Sequence, residues 1–153
     1  MTHVTVKQTI DAPLNIVWDT WDDFGNIADF NPVVKKSYLL DGSTKSGLGA
    51  KRHCDMKDGK NFVREEMVGY TRHKQMVVDI FEGSIPVKDA SGTIDFNKLG
   101  PNKTEVTMTL EFTPKMGLIG KIMQPVMKKQ FTSMVGKLLA GNAVFAETRL
   151  VAA

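Results

Sequence analysis

PVMKKQFTSMVGKLLAGNAVFAETR, residues Pro125 to Arg149, reads as one long amphipathic helix. Apolar residues recur at Met127, Phe131, Met134, Val135, Leu138, Leu139 and Phe145, the three-and-four spacing that gathers side chains on one helical face. Lys128, Lys129, Thr132, Ser133 and Lys137 fall largely on the other side. Pro125 suits the first turn, where a missing N–H breaks no hydrogen bond. An apolar stripe this wide needs a surface to cover. Gly136 and Gly141 are out of keeping with it, since an interior glycine costs about 1 kcal/mol relative to alanine. Either the helix packs backbone-close on the sheet at these points, or space is left beneath it.

The surface it covers lies upstream. Between Tyr38 and Thr113 the period is two, the repeat of a strand. Glu105 to Phe112 alternates without a fault, with Val106, Met108, Leu110 and Phe112 on one face and Thr or Glu on the other. Ile94 and Phe96 share the dry face on the neighbouring strand, because Thr93, Asp95 and Asn97 are polar. Asp58-Gly59, between Ala50–Lys57 and Lys60–Gly69, is a strong hairpin signal. Further strands are expected at Val34–Leu40, Gln75–Glu82 and Gly92–Lys98, with Gly83–Asp89 as an irregular connection. Before the sheet, Val4–Ile10 reads as a first strand. Asp11-Ala12-Pro13 then caps a helix, Pro13 in its first turn, whose apolar face is Leu14, Val17, Trp18, Trp21 and Phe24. A short helical turn follows around Ile27, Ala28 and Phe30, ended by Pro32.

At 153 residues, with 42 % hydrophobic and 24 % charged residues, one globular domain spanning 1–153 is expected. No apolar run reaches the roughly 18 residues of a spanning helix, and the N-terminal residues lack the shape of a signal peptide, so a cytoplasmic location is expected. Cys54 is the single cysteine, which excludes an internal disulfide. The net charge of +3 comes from lysines spread along the chain, without an arginine cluster or interleaved aromatics, which argues against nucleic-acid binding. His3, His53 and His73 lack ligand spacing, and no phosphate-binding loop is present, so neither metal nor cofactor is expected. His53 and Cys54 are adjacent on a strand and point to opposite faces, which argues against a nucleophilic pair.

In order along the chain, Ile10-Asp-Ala-Pro13 with Val17-Trp18, then Asp23, Asn26 and Asn31-Pro32, resembles the opening of the SRPBCC superfamily. Its members include START-like, birch-pollen-allergen-like and polyketide cyclase/dehydrase proteins. Gly49-Ala-Lys-Arg52, Arg64-Glu-Glu-Met67 with Tyr70, and Leu110-Glu-Phe-Thr-Pro114 extend the resemblance over essentially the whole sequence. It implies an α+β helix-grip fold: a curved, seven-stranded antiparallel sheet and two short helices wrapped around a long C-terminal helix, with an internal cavity. The nine methionines, with Met56, Met67, Met108, Met127 and Met134 inward, would suit an adaptable apolar wall.

The family pattern places Arg52, Cys54 and Met56 inward on one strand, Val63, Glu65 and Met67 on the next, and by extension Val77, Asp79 and Phe81 on the third. Met76, Val78 and Ile80 form an equally apolar opposite face on that third strand. Without Val77, and with Ile94, Phe96, Met108, Leu110, Phe131, Met134, Val135 and Leu138, these make the expected ligand-binding set. An isolated charge in such a place costs several kcal/mol or is neutralised. Arg52, Glu65 and Asp79 are therefore expected to form a polar floor that orients a ligand, or else a structural ion pair. As an enzyme, the cyclase-like reading would use Glu65 or Asp79 as general base and Arg52 to stabilise an enolate.

Three readings follow. The first is a carrier or sensor of a hydrophobic lipid-, aromatic- or polyketide-like molecule, present as a monomer or weak homodimer. The second is a cyclase or dehydratase on the same pocket. The third is a partner-binding module of the co-chaperone kind, with a filled core and an apolar outer patch. Ser43–Gly49, Ser84–Asp89 and Met116–Gln124 are expected to gate the cavity. The segment Met116 to Lys129, apolar with Lys115, Lys121, Lys128 and Lys129 around it, reads as a lid in preference to a membrane-surface contact.

Overall fold

Alternation and helical period translate into a seven-stranded antiparallel sheet crossed by one long helix. The computed structural model describes residues 2–115 and 117–152, with 150–152 described by backbone alone. Met1, Ala153 and Met116, the first residue of the expected lid, lie outside the described residues. The elements are β1 (Thr2–Ile10), α1 (Leu14–Asp22), a 3₁₀ turn (Phe24–Asp29), β2 (Val34–Leu39), β3 (Lys51–Met56), β4 (Phe62–Thr71), β5 (Gln75–Gly83), β6 (Val87–Gly100), β7 (Lys103–Pro114) and α2 (Gly117–Ala152). The sheet order is β1-β7-β6-β5-β4-β3-β2. Among the described residues no helix is long and apolar enough to cross a membrane.

The faultless alternation of β7 puts it beside both β1 and β6. Val106 pairs with Gln8 and Phe96, and Met108 with Val6 and Ile94. Val106 and Phe112 are fully buried with Ile10, Val17 and Leu139. At the Asp58-Gly59 hairpin, Asp58 Oδ1 accepts from the Lys60 and Asn61 N–H groups, both at 2.8 Å, and Gly59 takes the positive φ the turn requires. Those bonds hold the Asp58 carboxyl below its usual range.

Two boundaries differ from expectation. Pro13 is the residue before α1 rather than in its first turn; its carbonyl accepts from the Ile16 and Val17 N–H groups at 3.1 Å, and no side chain caps the helix. Asp11 instead uses its N–H on Glu147 of α2 at 3.0 Å. The long helix begins at Gly117, so Pro125 lies inside it. The residues from Gly117 to Gln124 are its first two turns.

Three contacts seat α2. Asn142, fully buried, donates to Thr20 Oγ1 of α1 at 2.8 Å. Gln124 hydrogen-bonds the Thr2 hydroxyl of β1. Gly141 lies so close to Phe30 and Pro32 that a Cβ there would collide with the Phe30 carbonyl oxygen. The backbone is therefore closely packed at Gly141, but against the segment that precedes β2 and not against the sheet. At Gly136 a Cβ would meet nothing within 4 Å, but this residue does not line the cavity described below.

Candidate functional site

Register brings the buried charges together. Arg52 of β3 stands directly opposite Glu65 of β4, and both side chains point to the face that α2 covers. The Arg52 side chain is clamped on three sides. Its Nε donates to Glu65 Oε1 at 3.0 Å, its Nη1 donates to the Phe24 carbonyl at 3.0 Å, and its guanidinium carbon lies 3.9 Å from the centroid of the Phe24 ring. Arg52 is only 4 % exposed, so the pair is shielded from bulk water. The Cys54 thiol donates to the same Glu65 oxygen at 3.5 Å. Burial, reinforced by the Glu65 charge, pushes that thiol far above its ordinary pKa. Cys54 is therefore a protonated donor that holds the carboxylate, and not a nucleophile.

Arg52 and Glu65 line a cavity of about 140 Å³ between the sheet and α2. The rest of its wall is almost wholly apolar. Met56 and Val63 continue from the charged pair, Ile94, Met108 and Leu110 form the sheet floor, and Phe131, Met134, Val135 and Leu138 close it from α2. Phe131 meets Phe112 edge-on at 4.6 Å. Gly92 faces the cavity too; a Cβ there would stand 3.2 Å from the Met108 methyl, so the glycine leaves that methionine its room.

Five expected members of the set lie elsewhere. Asp79 and Phe81 face away from the cavity, as does Val77, while Val78 and Ile80 line it and Met76 is buried. The cause is the first of two bulges in the β4–β5 pairing. Arg64 pairs with Glu82 but Glu65 with Ile80, leaving Phe81 as the extra residue, and Val68 is the extra residue between Met67 and Gly69. Phe81 is consequently 48 % exposed. Asp79 sits on the outer face beside Asp89, Ser91 and Glu111, so only one of the two expected carboxylates reaches the cavity. Cys54, Met67 and Phe96 do point inward but are covered by neighbours and contribute no cavity wall. Phe96, for example, lies edge-on to Trp18 and Trp21.

Other wall residues escape strand alternation altogether. Trp21 comes from the last turn of α1, Ile27, Asn31 and Val33 from the segment between α1 and β2, and Val34 from the start of β2. Ile85 and Val87 come from the region read as an irregular connection, and Ala90 from just beyond it, where β6 in fact already runs from Val87. Of the three expected gates, only this one touches the cavity; neither residues 43–49 nor the described residues of 117–124 line it. Asn31 is the remaining polar group of the wall, and its Oδ1 accepts from the Val33 N–H at 3.1 Å.

The histidines take structural places. His53 lies on the outer face, stacked between Tyr38 and Phe62, with Nε2 2.8 Å from Asp55 and Nδ1 accepting from Arg64 at 3.2 Å. His3 lies 3.3 Å from Glu111, and His73 lies edge-on to Trp18. Among the described residues no group of three His, Cys, Asp or Glu side chains could hold a metal ion.

Solved structures share this architecture. A START superfamily protein from Mycobacterium smegmatis superimposes with a TM-score of 0.80 at 16 % identity, over 95 % of this chain and 97 % of that one. The Zhui aromatase/cyclase from Streptomyces sp. R1128 gives 0.79 at 18 % identity, over 97 % and 95 %. Norcoclaurine synthase from Thalictrum flavum gives 0.71 at 15 % identity, over 94 % and 85 %. At these identities the likeness concerns the fold alone. No curated protein matches the sequence. The family model described as polyketide cyclase / dehydrase and lipid transport matches residues 1–143, and the chain belongs to that family.

Proposed function

We propose that this protein binds a small apolar molecule, about the size of a substituted aromatic ring, whose one polar group meets the Arg52–Glu65 pair. The observation that carries the reading is a cavity of about 140 Å³ with apolar walls and a single buried ion pair set into them. A dry cavity of similar size, roughly 150 Å³, is known to accept benzene. Six to ten buried carbons at about 0.8 kcal/mol each supply roughly 5–8 kcal/mol before the cost of association, which supports affinities no tighter than about micromolar. The Arg52 fork is held by Phe24 on one side and Glu65 on another, so it is organised before a ligand arrives. A phenol, carboxylate or carbonyl group is the matching chemistry. Carrier or sensor is the role this supports, in the reducing cytoplasm that a free buried thiol suits.

Catalysis on the same cavity is the second reading, favoured by the presence of Glu65 in the wall. With Asp79 outside, Glu65 alone would take a proton from an acidic C–H, and Arg52 would stabilise the enolate. The filled core required by the partner-module reading does not fit a cavity of this size.

Isothermal calorimetry with 4-ethylphenol, and with ethylbenzene as its apolar counterpart, tests the assignment. The phenol is expected to bind at least about tenfold more tightly, and Glu65→Gln is expected to narrow that difference. Heat of binding from neither compound would overturn the proposal. Turnover of a candidate substrate that Glu65→Gln abolishes, with folding intact, would favour the enzyme.

A further inference from the structure

We propose that the first turns of α2 dock the protein on the surface of an anionic phospholipid bilayer. Leu118, Ile119, Ile122, Met123 and Val126 are 78 %, 58 %, 76 %, 45 % and 48 % exposed, a concentration of bare apolar side chains within nine residues. At about 100° per residue they fall on one arc of the helix. The opposite arc carries the groups that hold the helix to the protein. Gly120 is buried, Gln124 hydrogen-bonds Thr2, and Phe131 packs on Phe112. The exposed stripe is therefore turned away from the cavity, and a lid would require the reverse.

Charge selects the partner. From Phe112 to Ala146 the sequence contains Lys115, Lys121, Lys128, Lys129 and Lys137 and no aspartate or glutamate. Lys121, Lys128 and Lys129 are exposed; at the same 100° per residue Lys121 borders the stripe, Lys129 continues its arc beyond Val126, and Lys128 lies farther round beside Lys121. An apolar strip bordered by lysines is the pattern of a helix lying in the headgroup plane of an anionic membrane. A second copy of this chain would set the same lysines against each other. The helix that carries the stripe continues into the wall residues Phe131, Met134 and Val135, so docking would bring the cavity close to the lipid phase. The docking stands on exposure and charge, whether or not the cavity takes a ligand.

Co-sedimentation of the full chain with vesicles tests it. Phosphatidylcholine vesicles containing about 30 % phosphatidylglycerol are expected to bind at least about tenfold more strongly than phosphatidylcholine alone, and raising salt several-fold is expected to weaken that binding. Ile122→Asp and Lys128→Glu/Lys129→Glu, all at exposed positions, are each expected to lower binding to the mixed vesicles several-fold, with circular dichroism and unfolding midpoints unchanged. Equal binding to both vesicle types, or to neither, would overturn the proposal. So would a concentration-dependent dimer in sedimentation velocity that Ile122→Asp abolishes while vesicles stay unbound, because the stripe would then be covered by a second copy.

Discussion

Replacing Arg52 by Met and Glu65 by Leu, singly and together, measures what the buried pair contributes and what it is for. Arg52→Met removes the 3.0 Å bonds to Glu65 and to the Phe24 carbonyl and the contact with the Phe24 ring, leaving a carboxylate in the cavity wall with only the Cys54 thiol as donor. Loss of one partner from a buried pair costs about 3–5 kcal/mol. Glu65→Leu leaves the guanidinium with the Phe24 carbonyl and ring alone, and the cost is of the same order. The double variant has no orphaned charge and gains apolar packing, so it is expected to lie within about 1–2 kcal/mol of the parent. The interaction energy then exceeds about 3 kcal/mol, well beyond the 0.3–0.5 kcal/mol within which independent sites add. Urea unfolding followed by the fluorescence of Trp18 and Trp21, both buried, reads all four proteins. The double variant should also bind ethylbenzene as well as or better than the parent while losing its preference for 4-ethylphenol. Additive costs would show that the two residues act separately and would refute the clamp.

Two glycines of one helix should respond with opposite signs. Gly136→Ala meets nothing within 4 Å and should raise stability by up to about 1 kcal/mol, whereas Gly141→Ala drives a methyl into the Phe30 carbonyl and should cost about 1–3 kcal/mol or more; thermal unfolding of both variants checks the pair. Cys54 should give stability an alkaline dependence. Its folded pKa is raised above the ordinary 9.0, so below pH 9 both states keep the proton and nothing changes. Above pH 9 the unfolded chain alone releases it, and the parent should lose about 1.4 kcal/mol per pH unit more than Cys54→Ala, as urea titrations from pH 8 to 11 would show.

How legible each part was depended on how one-sided the local pattern is. In β7 one face is Val, Met, Leu, Phe and the other is Thr and Glu, so only one orientation buries apolar surface and the reading held. In β5 the run Met76-Val-Val-Asp-Ile-Phe81 is apolar in either phase, and a bulge of one residue chooses between them. Alternation carries no record of a bulge, which is why the strand pattern points Asp79 and Phe81 to the wrong face. Arg52 and Glu65 were placed correctly because β3 and β4 hold register from Lys51 to Asp55 without interruption. The start of α2 was hidden by Pro125, a strong start signal that the helix tolerates in its interior. Cavity wall from Trp21, Asn31 and Ile85 depends on how three separate segments fold over the sheet, and no period within one segment reports that.

Methionine methyl resonances test most directly whether the space between sheet and helix is a ligand site. Met56, Met108 and Met134 line the cavity, while Met123 is exposed two turns before its wall begins. With the methyl groups isotopically labelled, titration of 4-ethylphenol should shift Met56, Met108 and Met134 together and saturably, leave Met123 unmoved, and lose these shifts when Val135→Trp fills the cavity. Shifts confined to Met123, or wall resonances that do not move up to the solubility limit of the phenol, would contradict the account.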